Sequence, residues 1–383
     1  MEKIIEKDKC TGCTACVNIC PLNAITMKID KEGFKYPEIN KKKCTNCKIC
    51  EKMCPIINKK INISINECYA AYSNDKKNVE TSSSGGIFNL IAKYIISENG
   101  IVIGAAFNDD NKLIHIPITC NEELYRIKGS KYIQSDLNNI FINIKENIDN
   151  RKVLFVGTPC QVGGLKAFLK KEYENLVCID LICHGVPSPK LFEKYIKELE
   201  NDYSNHVIGY EFRDKSTGWE NYSNKIIFEN KMKSCLAKKN EYMQLFLSDS
   251  TLRESCYNCN FKLGNKYSDI TLGDFWGIKD VNIKMYNKLG VSAIIINSEK
   301  GKKLFNIIKK EITFDQCTLE DILKNNNSLK YSCNRPENRN YFYSDMYKNN
   351  ILQLAKKYKK KQGIIKSIYI LIKIAIKKVI NRV

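Results

Sequence analysis

The 383-residue chain lacks any apolar run long enough to cross a membrane. A spanning helix needs about 20 apolar residues, and the most apolar stretch, 364–380, is interrupted by Lys366, Lys373, Lys377 and Lys378. The opening residues Met1 to Lys9 carry no apolar h-region, so no secretory signal is expected there. Without export there is no oxidising compartment to form a disulfide scaffold, and the 18 cysteines point instead to metal ligation in a reducing cytoplasm. Acidic residues are also scarce, 42 Asp+Glu against 62 Lys+Arg, giving a formal charge of +20. The excess comes without a helix-turn-helix, zinc-finger or RNA-binding signature, so no nucleic-acid partner is expected. Metal-bound cysteines are thiolates. Four around a core of charge +2 leave −2, so two clusters lower +20 to about +16 and three to about +14. What is present, 43% hydrophobic and 27% charged residues, describes an ordinary folded protein of two or three domains.

The cysteines are concentrated at the start. Cys10, Cys13, Cys16 and Cys20 precede Pro21; Cys44, Cys47, Cys50 and Cys54 precede Pro55. Both runs read C-x2-C-x2-C-x3-C-P, offset by 34 residues, which is an internal duplication. Three cysteines two residues apart wrap three corners of an iron–sulfur cube, and the fourth, expected to open a short helix at the proline, reaches the other cluster. The expected sets are Cys10, Cys13, Cys16 and Cys54 for one [4Fe–4S] cluster, and Cys44, Cys47, Cys50 and Cys20 for the second. Thr11-Gly12, Thr14-Ala15 and Thr45-Asn46 are small, so backbone N–H groups stay close to the cluster. Structural zinc prefers two separated C-x2-C pairs and fits poorly. Short strands are expected at 25–27 and 34–36 around a turn at Asp30 to Gly33. Residues 1–60 resemble the bacterial two-cluster ferredoxins.

Residues 56–68 read as a connector, after which the pattern becomes a mixed α/β one. Runs at 102–107, 153–156, 176–183 and 291–297 are of strand type. Ile87, Phe88, Leu90, Ile91, Tyr94 and Ile95 make one helical face. Pro189 to Leu199 makes another helix, with Ser188 as its N-cap. Residues 206–213 and 225–229 alternate like an antiparallel insertion. Chemistry is expected at strand ends: Gly157 to Gly164 after one strand, Cys183 to Ser188 after another, then Cys256 and Cys259, and Ser268 to Gly277. Ser82 to Gly86 precede a helix and offer N–H groups to an anion such as a phosphate. A plain helix cap is the alternative reading of that turn, and a small core residue the alternative for Cys160.

Taken together, Ser83 to Phe88, Lys128 to Tyr132, Gly157 to Gln161, Cys183 to Ser188, the Cys256/Cys259 pair and Asp269 to Gly277 resemble the family of coenzyme F420 hydrogenase/dehydrogenase beta subunits. The resemblance runs from about 69 to 310, and implies the N-terminal region of such a beta subunit at 69–150 and its C-terminal region at 151–315. It implies an iron–sulfur flavoprotein oxidoreductase that moves electrons between a two-electron hydride donor or acceptor and one-electron carriers. The cofactors implied are FAD and a third [4Fe–4S] cluster, on Cys160, Cys183, Cys256 and Cys259; zinc or unligated thiols are the alternatives for that set. Ser83, Ser84, Gly85 and Gly86 are expected near the FAD pyrophosphate, with Lys128, Ser130 and Lys131 supplying charge or forming an ordinary loop. His184 is the candidate catalytic residue, as a proton donor beside a ligand, or it simply hydrogen-bonds its own turn. Asp274 and Trp276 face the cofactor or close a strand end. The partners implied are a redox partner protein or ferredoxin and a small-molecule hydride donor or acceptor. A second reading is an electron-transfer subunit of a larger complex, with no substrate site of its own, serving cell-surface polysaccharide biosynthesis.

Residues 316–383 read as a helical, basic tail. From 351 onward it is rich in lysine with apolar faces, which suits peripheral contact with an anionic membrane or packing on the body or a partner. The expected location is the cytoplasm, including the inner face of the membrane.

Overall fold

The computed structural model describes residues 3–58, 67–263 and 266–360. The N-terminal module has a two-stranded antiparallel sheet, β1 (Ile25–Ile29) and β2 (Lys35–Ile39), with Ile25 opposite Ile39. Its turn forms at Asp30, whose carboxylate accepts from the backbone N–H groups of Glu32 and Phe34. Gly33 supplies the left-handed φ of 90° that the turn needs. Each cysteine run carries one short helix, Ala15–Ile19 and Ile49–Lys52. Both precede the fourth cysteine rather than begin at it: Cys20 caps the first at its C-terminal end and Cys54 follows the second. The expectation of a helix opening at the proline is corrected here. Its cause is local, since the left-handed residues Thr14 and Lys48 reverse the chain between ligands two and three and start the helix there.

The body is built on an eight-stranded sheet of order β13-β3-β12-β11-β7-β6-β4-β5. The strands are β3 (Glu67–Ser73), β4 (Ile101–Phe107), β5 (Leu113–Ile118), β6 (Val153–Gly157), β7 (Leu176–Leu181), β11 (Ile270–Asp274), β12 (Ser292–Ile296) and β13 (Ile312–Cys317). β4, β6, β7 and β11 form a parallel centre, and the remaining pairings are antiparallel. Both faces of that centre are covered, which is why its strands are largely apolar, with Asp180 in β7 and Thr271 and Asp274 in β11 as polar exceptions. Val102, Ala106 and Leu154 face the helix Ile87–Ser97 and Leu304, Phe305 and Ile308. Ile101, Ile103, Val153 and Phe155 face Phe141, Val162, Leu165 and Phe168. Strands from both the 69–150 and 151–315 stretches thus enter one sheet. The connector is shorter than its polar sequence suggests, because Glu67 and Cys68 already belong to β3; residues 59–66 lie outside the described residues.

A three-stranded antiparallel sheet, β8 (Val207–Asp214), β9 (Ser223–Phe228) and β10 (Met232–Leu236), forms the insertion. It packs on the helix Pro189–Tyr203, which Ser188 caps, and on the helices Glu241–Leu247, Arg339–Asp345 and Ile351–Tyr358. Residues 351–358 are the last described helix, packed on the body through Ile351, Leu354, Ala355 and Tyr358. The membrane contact expected of the tail falls largely on 361–383, outside the described residues. No helix among the described residues is long and apolar enough to cross a membrane.

Candidate redox site

The ferredoxin module contains two groups of cysteines. Cys10, Cys13, Cys16 and Cys54 line one cavity together with Thr11, Gly12, Thr14 and Pro55. Burial pushes the Cys13 thiol up to about 12, and the neighbouring thiols of Cys54 and Cys10 add to it. Cys16 is driven upward by burial and then by Cys13, Cys10 and Cys54. Cys50 rises through burial and feels Cys20; Cys44 is partly exposed and Cys47 exposed. Thiols raised by burial and by their neighbours, as Cys13, Cys16 and Cys54 are, become stable thiolates only around a cation, which is the chemistry of an iron–sulfur core.

A second recess lies at the carboxyl ends of β6 and β7. The turn after β6 passes through Thr158, whose side chain and that of Gln161 form a capping box, into the helix Pro159–Leu169, which brings Cys160 to the recess. The turn after β7 brings Cys183 and His184, and the loop 253–261 brings Cys256 and Cys259. All four cysteines line this recess, from chain segments nearly a hundred residues apart. Burial pushes Cys183 to about 11 and Cys256 to about 12, and drives Cys160 well above the ordinary thiol range. In each case the other cysteines of the set contribute, while Lys262 and Lys266 pull Cys183 back. Lys262 donates to the carbonyls of Cys183 (2.9 Å) and Ser328 (2.7 Å), holding a positive charge at the rim. The donor set and its surroundings fit a [4Fe–4S] cluster.

His184 lines the same recess and is fixed from both ends: Nε2 lies 2.6 Å from Asp249 Oδ1 and Nδ1 3.2 Å from Ser328 Oγ. Asp249 also pairs with Lys360 at 2.6 Å, and Cys333 lies 3.1 Å from the His184 carbonyl.

Further along the same sheet edge, at the end of β3, Ser82 to Gly86 meet the start of β12. Gly85 N–H donates to Ser292 Oγ and Ser84 Oγ to the Val291 carbonyl, so these two groups are already engaged. A side chain at 85 would strike the Ala71 carbonyl, which explains that glycine by packing. Gly86 has φ 84° and opens the following helix. Ser83 Oγ accepts from the N–H and hydroxyl of Ser130 at 2.7 and 3.0 Å. Among the described residues the three lysines around the turn form no ion pair: Lys128 donates to Asn78 and Thr81, and Lys131 to the carbonyls of Lys128 and Gly129. Lys215 donates to the carbonyls of Val79, Ser84 and Leu289. Burial holds Lys131 and Lys215 down to about 7 and Lys128 to about 8. A group of partly discharged lysines on neutral acceptors fits an anion such as a pyrophosphate.

Arg213 and Lys215 are not legible as site residues in the sequence. Arg213 donates to both oxygens of Asp274 (2.9 and 3.0 Å), to Tyr132 Oη and to the Ser83 carbonyl. Burial opposes its charge but the Asp274 carboxylate outweighs that and raises its pKa. Trp219 Nε1 donates to the same carboxylate, and the Trp219 and Trp276 rings stack at 4.9 Å. Asp274 and Trp276 thus build the wall behind the Ser83 turn. The one signal that could have found Arg213 is the end of the alternating run at 206–213, where a strand-end charge is expected to have a partner.

Two family matches follow the same division. Residues 9–56 match the 4Fe-4S dicluster domain, and residues 150–321 match the family described as the C terminus of the coenzyme F420 hydrogenase/dehydrogenase beta subunit. The chain is 22% identical over 332 residues to a subunit of the F(420)H(2) dehydrogenase of Methanosarcina mazei, covering 81% of this chain and 85% of that protein. It is 25% identical over 341 residues to the coenzyme F420-dependent sulfite reductase of Methanocaldococcus jannaschii, covering 85% of this chain but only 49% of that protein. Among solved structures, a chain of the F420-reducing [NiFe] hydrogenase complex from Methanosarcina barkeri is similar at TM-score 0.47 and 16% identity, covering 78% of this chain and 91% of that chain.

Proposed function

Because this chain joins a 4Fe-4S dicluster domain to the C-terminal domain of the coenzyme F420 hydrogenase/dehydrogenase beta subunits, we propose that it is an iron–sulfur flavoprotein oxidoreductase acting as an electron-transfer subunit. It exchanges electrons between a small-molecule hydride donor or acceptor and a redox partner protein or ferredoxin. When bound, FAD supplies two-electron hydride chemistry and the iron–sulfur clusters supply one-electron transfer.

The chain's own residues have the following work. Cys10, Cys13, Cys16 and Cys54, and Cys20, Cys44, Cys47 and Cys50, hold the two ferredoxin clusters. Cys160, Cys183, Cys256 and Cys259 hold a third, with Lys262 at its rim. Lys128, Lys131 and Lys215, with Ser83 and Ser130, hold the FAD pyrophosphate. His184 keeps a proton at Nδ1 or Nε2 according to the hydrogen bonds it makes with Asp249 and Ser328. The observation that carries the reading is the convergence of four cysteines from distant segments on one recess at the carboxyl end of the parallel sheet.

The test is iron analysis of variants. Cys160→Ala and Cys256→Ala should each lose about four irons per chain while the ferredoxin clusters remain, a [4Fe–4S] site being held by four thiolates. Unchanged iron in both would remove the third cluster from the account. One observation favours the second reading, a relay subunit without a flavin: the Gly85 N–H and Ser84 hydroxyl are turned to β12 and the residue before it, Val291, not outward. Retained flavin, and reduction by a small-molecule donor, separates the two readings; coenzyme F420, carried in the relatives' names, is the first donor to assay.

A further inference from the structure

The two cysteine cavities have a common wall. Thr11 lines both, and Cys13 packs in one apolar cluster with Cys160 and Cys259. Arg253 stands in that wall. It lines the four-cysteine recess, yet its guanidinium reaches across to the other set: Nε donates to the Cys10 carbonyl at 2.7 Å and Nη2 lies 3.8 Å from Cys10 Sγ. Its remaining bonds go to Gln134 Oε1 at 3.0 Å and the Lys35 carbonyl at 2.9 Å, with the Tyr36 ring 4.2 Å away.

The residue is 1% exposed, and every one of these acceptors is uncharged. Among the described residues no carboxylate lies within ion-pair distance of it, whereas the other deeply buried arginines have such partners, Asp274 for Arg213 and both Glu32 and Glu254 for Arg339. A buried guanidinium without a counter-ion is costly, so this one calls for an anion. The anion it touches is Cys10, one of a set that carries net negative charge when it holds a cluster. Reduction makes such a cluster more negative by one charge, and a fixed cation at its ligand sulfur favours the reduced form.

We propose that Arg253 is the counter-charge of the Cys10, Cys13, Cys16 and Cys54 cluster and raises its reduction potential on the side facing the four-cysteine recess. It is a positioning residue, acting through Cys10. The inference rests on reading those four cysteines as a cluster and is independent of flavin and of the third site.

The test is an EPR-monitored redox titration of the full chain, with iron counted on each sample. The relevant signal is assigned by its loss in Cys13→Ala; a wild-type chain in which that variant changes no signal would refute the cluster reading itself. Arg253→Met should lower the reduced-to-oxidised ratio of this cluster about tenfold at fixed potential, equivalent to about 59 mV for one electron. Arg253→Lys, which keeps the charge but not the fork of hydrogen bonds, should stay close to wild type. If Arg253→Met holds no iron, loading of Arg253→Lys at the wild-type potential supports the counter-charge. An unchanged midpoint in a loaded Arg253→Met, or Arg253→Lys behaving as Arg253→Met does, overturns it.

Discussion

Gly164 shows how closely single residues set the distance between the two halves. A Cβ there would lie 2.7 Å from Cys13 Cβ and 3.0 Å from its sulfur, so the helix Pro159–Leu169 approaches the proposed cluster ligand Cys13 as only glycine allows. Gly164→Val should cost about 1–3 kcal/mol by overpacking, read by denaturant unfolding, and should deplete the iron of the Cys10 set first. Unaltered stability and iron would mean that the joint is looser than this geometry. The lysines make a second prediction at the same scale. Lys131 and Lys215 are held near 7, against an ordinary value of 10.5, chiefly by burial. Below about 7 both the folded and the unfolded chain carry these protons; between about 7 and 10.5 only the unfolded chain does. The ligand-free protein therefore gains stability as pH rises through that window. An anion bound there favours the protonated lysines, so calorimetric affinity for ADP, a pyrophosphate probe, should fall as pH rises above about 7. Equal affinity at pH 6.5 and 8.5 would take these lysines out of the anion site.

At the scale of elements, the ferredoxin hairpin is clamped to the body by charge. Arg339, 1% exposed on the helix Arg339–Asp345, donates to both oxygens of Glu32 at 3.1 and 2.7 Å and pairs with Glu254 at 2.9 Å. Ser188, the cap of the helix Pro189–Tyr203, donates to the Glu32 carbonyl. Removing one partner of a buried pair costs about 3–5 kcal/mol, and the partly exposed carboxylates place Arg339→Leu at the lower end. Limited proteolysis should then release the N-terminal module faster than in wild type; an identical digestion pattern would contradict the clamp. How much of this is legible follows from range. The cluster spacing is local, and each ferredoxin run can be read within eleven residues. β4, β6, β7 and β12 read as apolar runs because both their faces are covered. β5 and β13 do not, since His115 and Pro117 interrupt one, and the other lies at the sheet's edge with alternate residues exposed. β3 hides behind a polar connector, and β11 within a motif that reads for its chemistry. The pairs Arg253 with Cys10, and Arg213 with Asp274, join residues 243 and 61 apart. No periodicity carries such a pairing; only the closed sheet brings them together. In the sequence the Ser84 and Gly85 backbone and side-chain groups look free for phosphate, but packing on β12 has the stronger claim.

For the whole molecule, the sheet's carboxyl edge carries both the proposed anion site and the proposed third-cluster site. The Ser83 turn with its lysines lies at one part of that edge, the four-cysteine recess at another, and the ferredoxin module is seated against the latter through Thr11, Cys13 and Arg253. Four cysteines on one recess, with a buried guanidinium that has no carboxylate partner among the described residues in its wall, suit a charged cofactor. The cofactor content of the intact protein tests this chemistry most directly. Iron and flavin per chain, measured on one anaerobically purified sample, should come to about twelve irons, four for each [4Fe–4S] cluster, with one FAD. About eight irons and no flavin, unchanged after incubation with FAD, would contradict it and leave the dicluster domain alone.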